Sequence, residues 1–141
     1  KSNFSRTIPF ALNNIIKKKK VFLDRQFHIK KNYIYVETLA EFILRFLEAK
    51  NITENYNVFN LSDSKTYSLI DIDKILQKDL SVGFNIKSIK KVKSSEIFYK
   101  SFSNKKILNF FRIKKIDSFK LGIIKTFLWK YKAVLNKNVK I

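Results

Sequence analysis

Eleven acidic residues, one histidine and no cysteine are the whole stock from which this 141-residue chain could build a catalytic or metal centre. The histidine, His28, stands alone, and one imidazole supplies a single ligand where a zinc site takes three or four. The lack of cysteine excludes disulfides and thiolate metal sites. No Ser-His-Asp order surrounds His28. The carboxylates Glu37, Glu41, Asp71 and Asp73 fall at the starts of helical patterns. There they satisfy free backbone donors and complement the helix dipole, which outweighs acid–base chemistry as a reading. The two glycines, Gly83 and Gly122, are too few and too far apart for a dinucleotide turn or a phosphate loop. These residues predict no self-contained active site.

The elements that would carry any site alternate. "PFALNNIIKK" predicts a helix with Pro9 in its first turn. "KVFL" and "NYIYV" predict short strands. A helix follows, with Thr38 and Glu41 spaced as a capping box and Leu39, Phe42, Ile43 and Phe46 on one apolar face. "YNVFNL", residues 56–61, predicts a buried strand, and "SDSKT" a turn. Ser68 and Asp71 form a second capping box before the helix "LIDIDKILQK". "FNIKSI" predicts a strand and "NKKILNFF" a short helix. A last helix runs from about Ser118 to Leu135, with Ile124, Phe127, Leu128 and Tyr131 on one face. The order α-β-β-α-β-α-β-α-α predicts an α/β fold in one domain, residues 1–141.

The net charge is +19, which suggests an anionic partner. Of the 30 basic residues, however, 26 are Lys and 4 are Arg. The excess of Lys, Ile, Asn, Phe and Tyr follows AT-rich codons. Base readout favours the bidentate Arg fork, so nucleic acid is disfavoured as a partner. The run Lys17–Lys20 reads as a solvated helix end. No apolar run approaches the roughly 18 residues of a membrane span. The start, "KSNFSRTIPF", lacks the order of a signal peptide, and a soluble cytoplasmic protein is expected.

Four segments, in order, resemble the C-terminal part of the extended short-chain dehydrogenase/reductase family of NAD(P)-dependent nucleotide-sugar epimerases, dehydratases and reductases. They are "TIPFALNNIIKKKKVFL", "KNYIYVETLAEFILRFLE", "YNVFNLSDSKTYSLIDIDKIL" and "DSFKLGIIKTFLWKY", the last matching most closely at Gly122, Thr126 and Trp129. The resemblance implies about five helices and four short strands, without the complete Rossmann domain. It implies a substrate-binding portion whose upstream cofactor-binding domain is missing. The family's glycine-rich loop and its Tyr-x-x-x-Lys pair lie earlier in such enzymes; here Tyr99-Lys100 and Tyr131-Lys132 have the wrong spacing. The chain alone is therefore expected to be inactive and to hold no cofactor, with NAD or NADP bound in the complete enzyme.

The resemblance also implies a site. Val21, Phe22 and Leu23 match the strand edge against the nucleotide base. Lys31 stands where the family places an arginine against the pyrophosphate, and Asn32 replaces the neighbouring acid. Arg6 and Lys93 are the further candidates for phosphate. The family's Gly-Ser-Gly turn is replaced by Ser62-Asp63-Ser64. The partners implied are a nucleotide sugar and the missing domain. Apolar residues on more than one side of the helices 38–48 and 119–132 predict an exposed patch, and with it self-association. The competing reading is a catalytically inert binding or interaction module that keeps the fold.

Overall fold

The computed structural model describes residues 7–23, 25–49, 57–89, 99–100 and 102–138. Among them are five α-helices and five short strands: α1 (Thr7–Ile16), β1 (Lys20–Leu23), β2 (Lys30–Asn32), α2 (Val36–Glu48), β3 (Thr66–Tyr67), α3 (Leu69–Leu80), β4 (Asn85–Ile89), β5 (Tyr99–Lys100), α4 (Lys105–Phe110) and α5 (Phe119–Asn138). A single 3-10 turn, Arg25–His28, follows β1. The α/β class expected from the sequence is the one observed.

The strands form two small sheets. β1 pairs with β4 in parallel, and the register slips between Val21 and Phe22, a bulge that leaves Lys87 as the extra residue. β2 lies between β3, antiparallel, and β5, parallel. The main core lies under α1, α3 and α5, where Leu12, Ile72 and Leu76 are fully buried beside Ile123 and Phe127. A second cluster gathers Phe42 of α2, Ile107 of α4 and Ile116.

Helix ends show where local sequence suffices. Ser68 caps α3: its hydroxyl accepts the Asp71 N–H at 3.2 Å, and the Asp71 carboxylate accepts the Ser68 N–H at 2.8 Å. That box forms as the sequence predicts. With so few glycines, the left-handed residues that close α1, α3 and α4 are Lys18, Ser81 and Arg112, with φ of 48°, 55° and 53°. Lys17–Lys19 are the exposed end of α1 that the sequence predicts, while Lys20, also exposed, already belongs to β1.

Three local readings are overturned. Thr38 does not cap α2; the helix starts at Val36, and Tyr35 occupies the cap position with no side-chain cap bond. The strand predicted at 32–36 lies earlier, at Lys30–Asn32, because β3 and β5 pair there. Residues 57–61 join no sheet, and Val58 is exposed; residue 56 lies outside the described residues. Asp73 is more than a dipole partner. It is buried, and accepts the Phe84 N–H at 2.6 Å and the Gln77 side-chain amide at 2.9 Å, which ties α3 to the start of β4. Burial pushes its carboxyl above the ordinary value, against the pull of those two donors.

Candidate functional site

β2 is the element from which the site is built. Lys31 is its middle residue, with Tyr67 of β3 and Lys100 of β5 as register partners. Lys31 and Tyr67, opposite each other on adjacent strands, project from the same face. The Tyr67 ring stacks on Phe119 at 4.0 Å, and Tyr33, two residues beyond Lys31, stacks on the same ring at 5.2 Å. Lys31 is half-buried and is paired in register with a tyrosine of that aromatic stack.

Behind this face lies Asp63, fully buried. One carboxylate oxygen accepts the Lys65 N–H at 3.1 Å and the Tyr67 hydroxyl at 3.4 Å. The other accepts the N–H groups of Ser118 and Phe119 at 2.7 and 2.9 Å. Asp63 therefore caps α5 from a segment far away in sequence, placing a negative charge at the positive end of a 20-residue helix. Burial and the Asp63 charge push the Tyr67 hydroxyl up to about 12.

The main chain of Asp63 binds β2 as well. Its N–H donates to the Tyr33 carbonyl at 2.6 Å, and its carbonyl accepts the Asn32 side-chain amide at 3.3 Å. Asn32 also accepts the Phe102 N–H at 2.8 Å. Segment 62–64, read from sequence as a turn, is the junction of β2, the stretch before α4 and the start of α5. The chain of bonds from α5 through Asp63 to Asn32 holds Lys31 in place.

A second junction joins α2 to α5. A Cβ on Gly122 would come within 2.5 Å of Tyr35 Cγ, so glycine is what lets that ring lie on the helix. The Tyr35 hydroxyl donates to Glu37 at 2.6 Å, and Lys125 reaches the other Glu37 oxygen at 2.7 Å. The hydrogen bonds from Lys125 and then Tyr35 hold the Glu37 carboxyl below its ordinary value. This contact sets the start of α2 where the capping pattern did not.

Of the residues expected at the site, Val21, Phe22 and Leu23 form β1, and Lys31 lies in the other sheet. The Val21 side chain is buried in the main core, so at that position only its main chain is open to a ligand. Arg6 and Lys93 lie outside the described residues. Asp63, Asn32 and Gly122 hold the arrangement; Gly122 had a signal in its match to the resembled motif, and Asp63 had none beyond its place in a polar turn. Among the described residues no group of three or more His, Cys, Asp or Glu could hold a metal, and no helix is long and apolar enough to cross a membrane. Among the described residues, neither glycine forms a turn of the kind a dinucleotide pyrophosphate takes. Gly83 lies against Gln77 and Asp73, and Gly122 lies under Tyr35 within α5, so neither opens a turn toward a pyrophosphate.

No protein-family profile and no curated protein sequence matches this chain. Among solved structures it is similar to UDP-glucuronic acid 4-epimerase from Bacillus cereus in complex with NAD, with a TM-score of 0.56 and 16% identity. The likeness covers 86% of this chain and 40% of that one. At that identity it is a likeness of fold, and the part matched is the C-terminal part of the epimerase. The chain thus spans less than half the length of the enzyme it resembles.

Proposed function

We propose that this chain is the nucleotide-sugar-binding portion of an NAD(P)-dependent epimerase, dehydratase or reductase, inactive by itself and completed by a cofactor-binding part. The observation that supports this most is the fold match to an epimerase over 86% of the chain. The four sequence segments that resemble the same enzyme class point the same way. In this reading the main chain of β1 meets the base, and Lys31, with Arg6 and Lys93, meets the diphosphate. Binding energy collected there holds the sugar against a nicotinamide carried elsewhere.

The test is nucleotide-sugar binding by the complete enzyme. A charge-assisted hydrogen bond contributes about 1.5–3 kcal/mol, so Lys31→Ala weakens binding about tenfold or more. Lys17→Ala, in the exposed Lys run, changes it little. Lys31→Arg keeps or improves it, because the guanidinium fork matches phosphate oxygens. Equal effects of Lys31→Ala and Lys17→Ala would refute the assignment of Lys31. Turnover of a nucleotide sugar by the isolated chain with added NAD(P) would refute the division of labour.

One observation favours the second reading, an inert binding module. The resembled glycine turn is filled here by Asp63, whose buried carboxylate does structural work. Failure of the complete protein to bind any nucleotide sugar would select that reading.

A further inference from the structure

α5 is apolar on two sides. Phe119, Ile123 and Phe127 enter the main core. Leu121, Leu128 and Leu135 recur every two turns, which sets them in a line on a side turned away from that core. They are exposed at 57%, 49% and 45%. Tyr131 and Trp129 stand on either side of the line, and Trp129 is exposed at 71%. From Leu128 to Asn136 no residue of α5 is buried, so the last turns run past the core.

The charges on this helix have one sign. α5 contains five lysines and no acidic residue, while α2, joined to it through Glu37 and Lys125, carries three glutamates. Codon bias raises the number of lysines but does not decide where carboxylates are missing. Lys120 and Lys125 are engaged by Asp79 and Glu37. Lys130 and Lys132, in the projecting turns, are in no ion pair among the described residues. Leucine, tryptophan and tyrosine interleaved with lysine are the make-up of a helix that lies in the headgroup region of a bilayer. There the rings sit at the apolar boundary, and the lysine stems reach out to the phosphates.

We propose that the outer face of the second half of α5, Leu128 to Leu135 with Trp129 and Tyr131, docks on an anionic membrane surface. Among the described residues no helix is long and apolar enough to cross a bilayer, so the attachment is peripheral. Lys130 and Lys132 meet the lipid headgroups, and the net charge of +19 draws the chain toward them. A second copy is disfavoured, because it brings a second charge of +19 against the same lysines. A single partner helix is disfavoured by width. Tyr131 and Trp129 extend the face beyond the leucine line, and a two-helix seam is narrower than that. The inference is independent of the function proposed above, which stands or falls on nucleotide-sugar binding.

Trp129 is the only tryptophan of the chain, so its fluorescence reads this face alone. Vesicles of phosphatidylcholine with phosphatidylglycerol are added to the chain, by itself and with the cofactor-binding part present. The expected result is a blue shift, protection from acrylamide quenching and co-sedimentation with the vesicles. All three weaken with added salt and with vesicles of phosphatidylcholine alone. Leu128→Ser with Leu135→Ser, at exposed positions, leaves the circular dichroism unchanged and weakens vesicle binding about tenfold or more. Lys130→Gln with Lys132→Gln weakens it about tenfold. Lys17→Gln with Lys19→Gln, at the exposed end of α1, changes it little. Absence of vesicle binding, equal binding to neutral vesicles, or indifference to the leucine pair would overturn the proposal. Equal losses from the two lysine pairs would overturn it too, since net charge and not this face would then be the cause. A blue shift without vesicles that rises with the chain's concentration would assign the face to a second copy. A blue shift on adding the cofactor-binding part, with vesicle binding lost, would assign it to that part. Either would overturn the proposal.

Discussion

Replacing Asp63 by Ala removes one carboxylate and four hydrogen bonds at a single buried point. Two of them cap α5. The Phe119 N–H is buried and the Ser118 N–H half-buried, so neither finds water easily once the carboxylate is gone. An unsatisfied buried donor costs about 1–3 kcal/mol, and loss of a helix cap costs about 0.5–2 kcal/mol. These overlap, because both describe the same two N–H groups, and neighbouring effects do not add. The expected loss is about 3 kcal/mol, against the roughly 5–15 kcal/mol that holds an ordinary domain together. Asp63→Asn keeps one acceptor oxygen and gives up the charge at the helix terminus, so it loses about 1–2 kcal/mol. Urea unfolding followed by far-ultraviolet circular dichroism reads both numbers. A loss under about 1 kcal/mol for Ala would mean the buried donors had found other partners, and Asn costing as much as Ala would mean the retained oxygen accepts neither N–H; either would refute the reasoning.

Gly122→Ala should destabilise by about 1–3 kcal/mol through overpacking against Tyr35, although alanine is the better helix former. In a Tyr35→Ala background the same change should cost nothing or stabilise; a penalty that persists in the double-mutant cycle would exclude the ring as its cause. The third prediction concerns alkaline pH. The folded chain holds the Tyr67 proton up to about 12 against 10.0 ordinarily, so the unfolded chain ionises first, and stability falls as pH rises from 10 toward 12. Tyr67→Phe should make that fall shallower in urea midpoints measured across the same range, and an identical slope would remove Tyr67 from the account.

What could be read from the residues alone was local. The Ser68–Asp71 box, the helices α3 and α4 and the exposed Lys17–Lys19 end need only neighbours within one or two turns. The α/β order follows from periodicity, and the resemblance in four segments agrees with the fold observed. Tertiary structure decided the rest, because the groups involved are distant in sequence. α2 starts at Val36 because Tyr35 lies on Gly122 and Glu37 meets Lys125, contacts no capping pattern encodes. Asp63 sits in a polar turn indistinguishable from a solvated one until the start of α5 closes on it. Residues 57–61 have the sequence of a strand, but strand formation requires a second strand, and the described chain provides none there. Helix bonds are satisfied within a segment and so are written in it, whereas sheet pairing and buried charge are satisfied across the fold and are settled only by what comes to lie alongside.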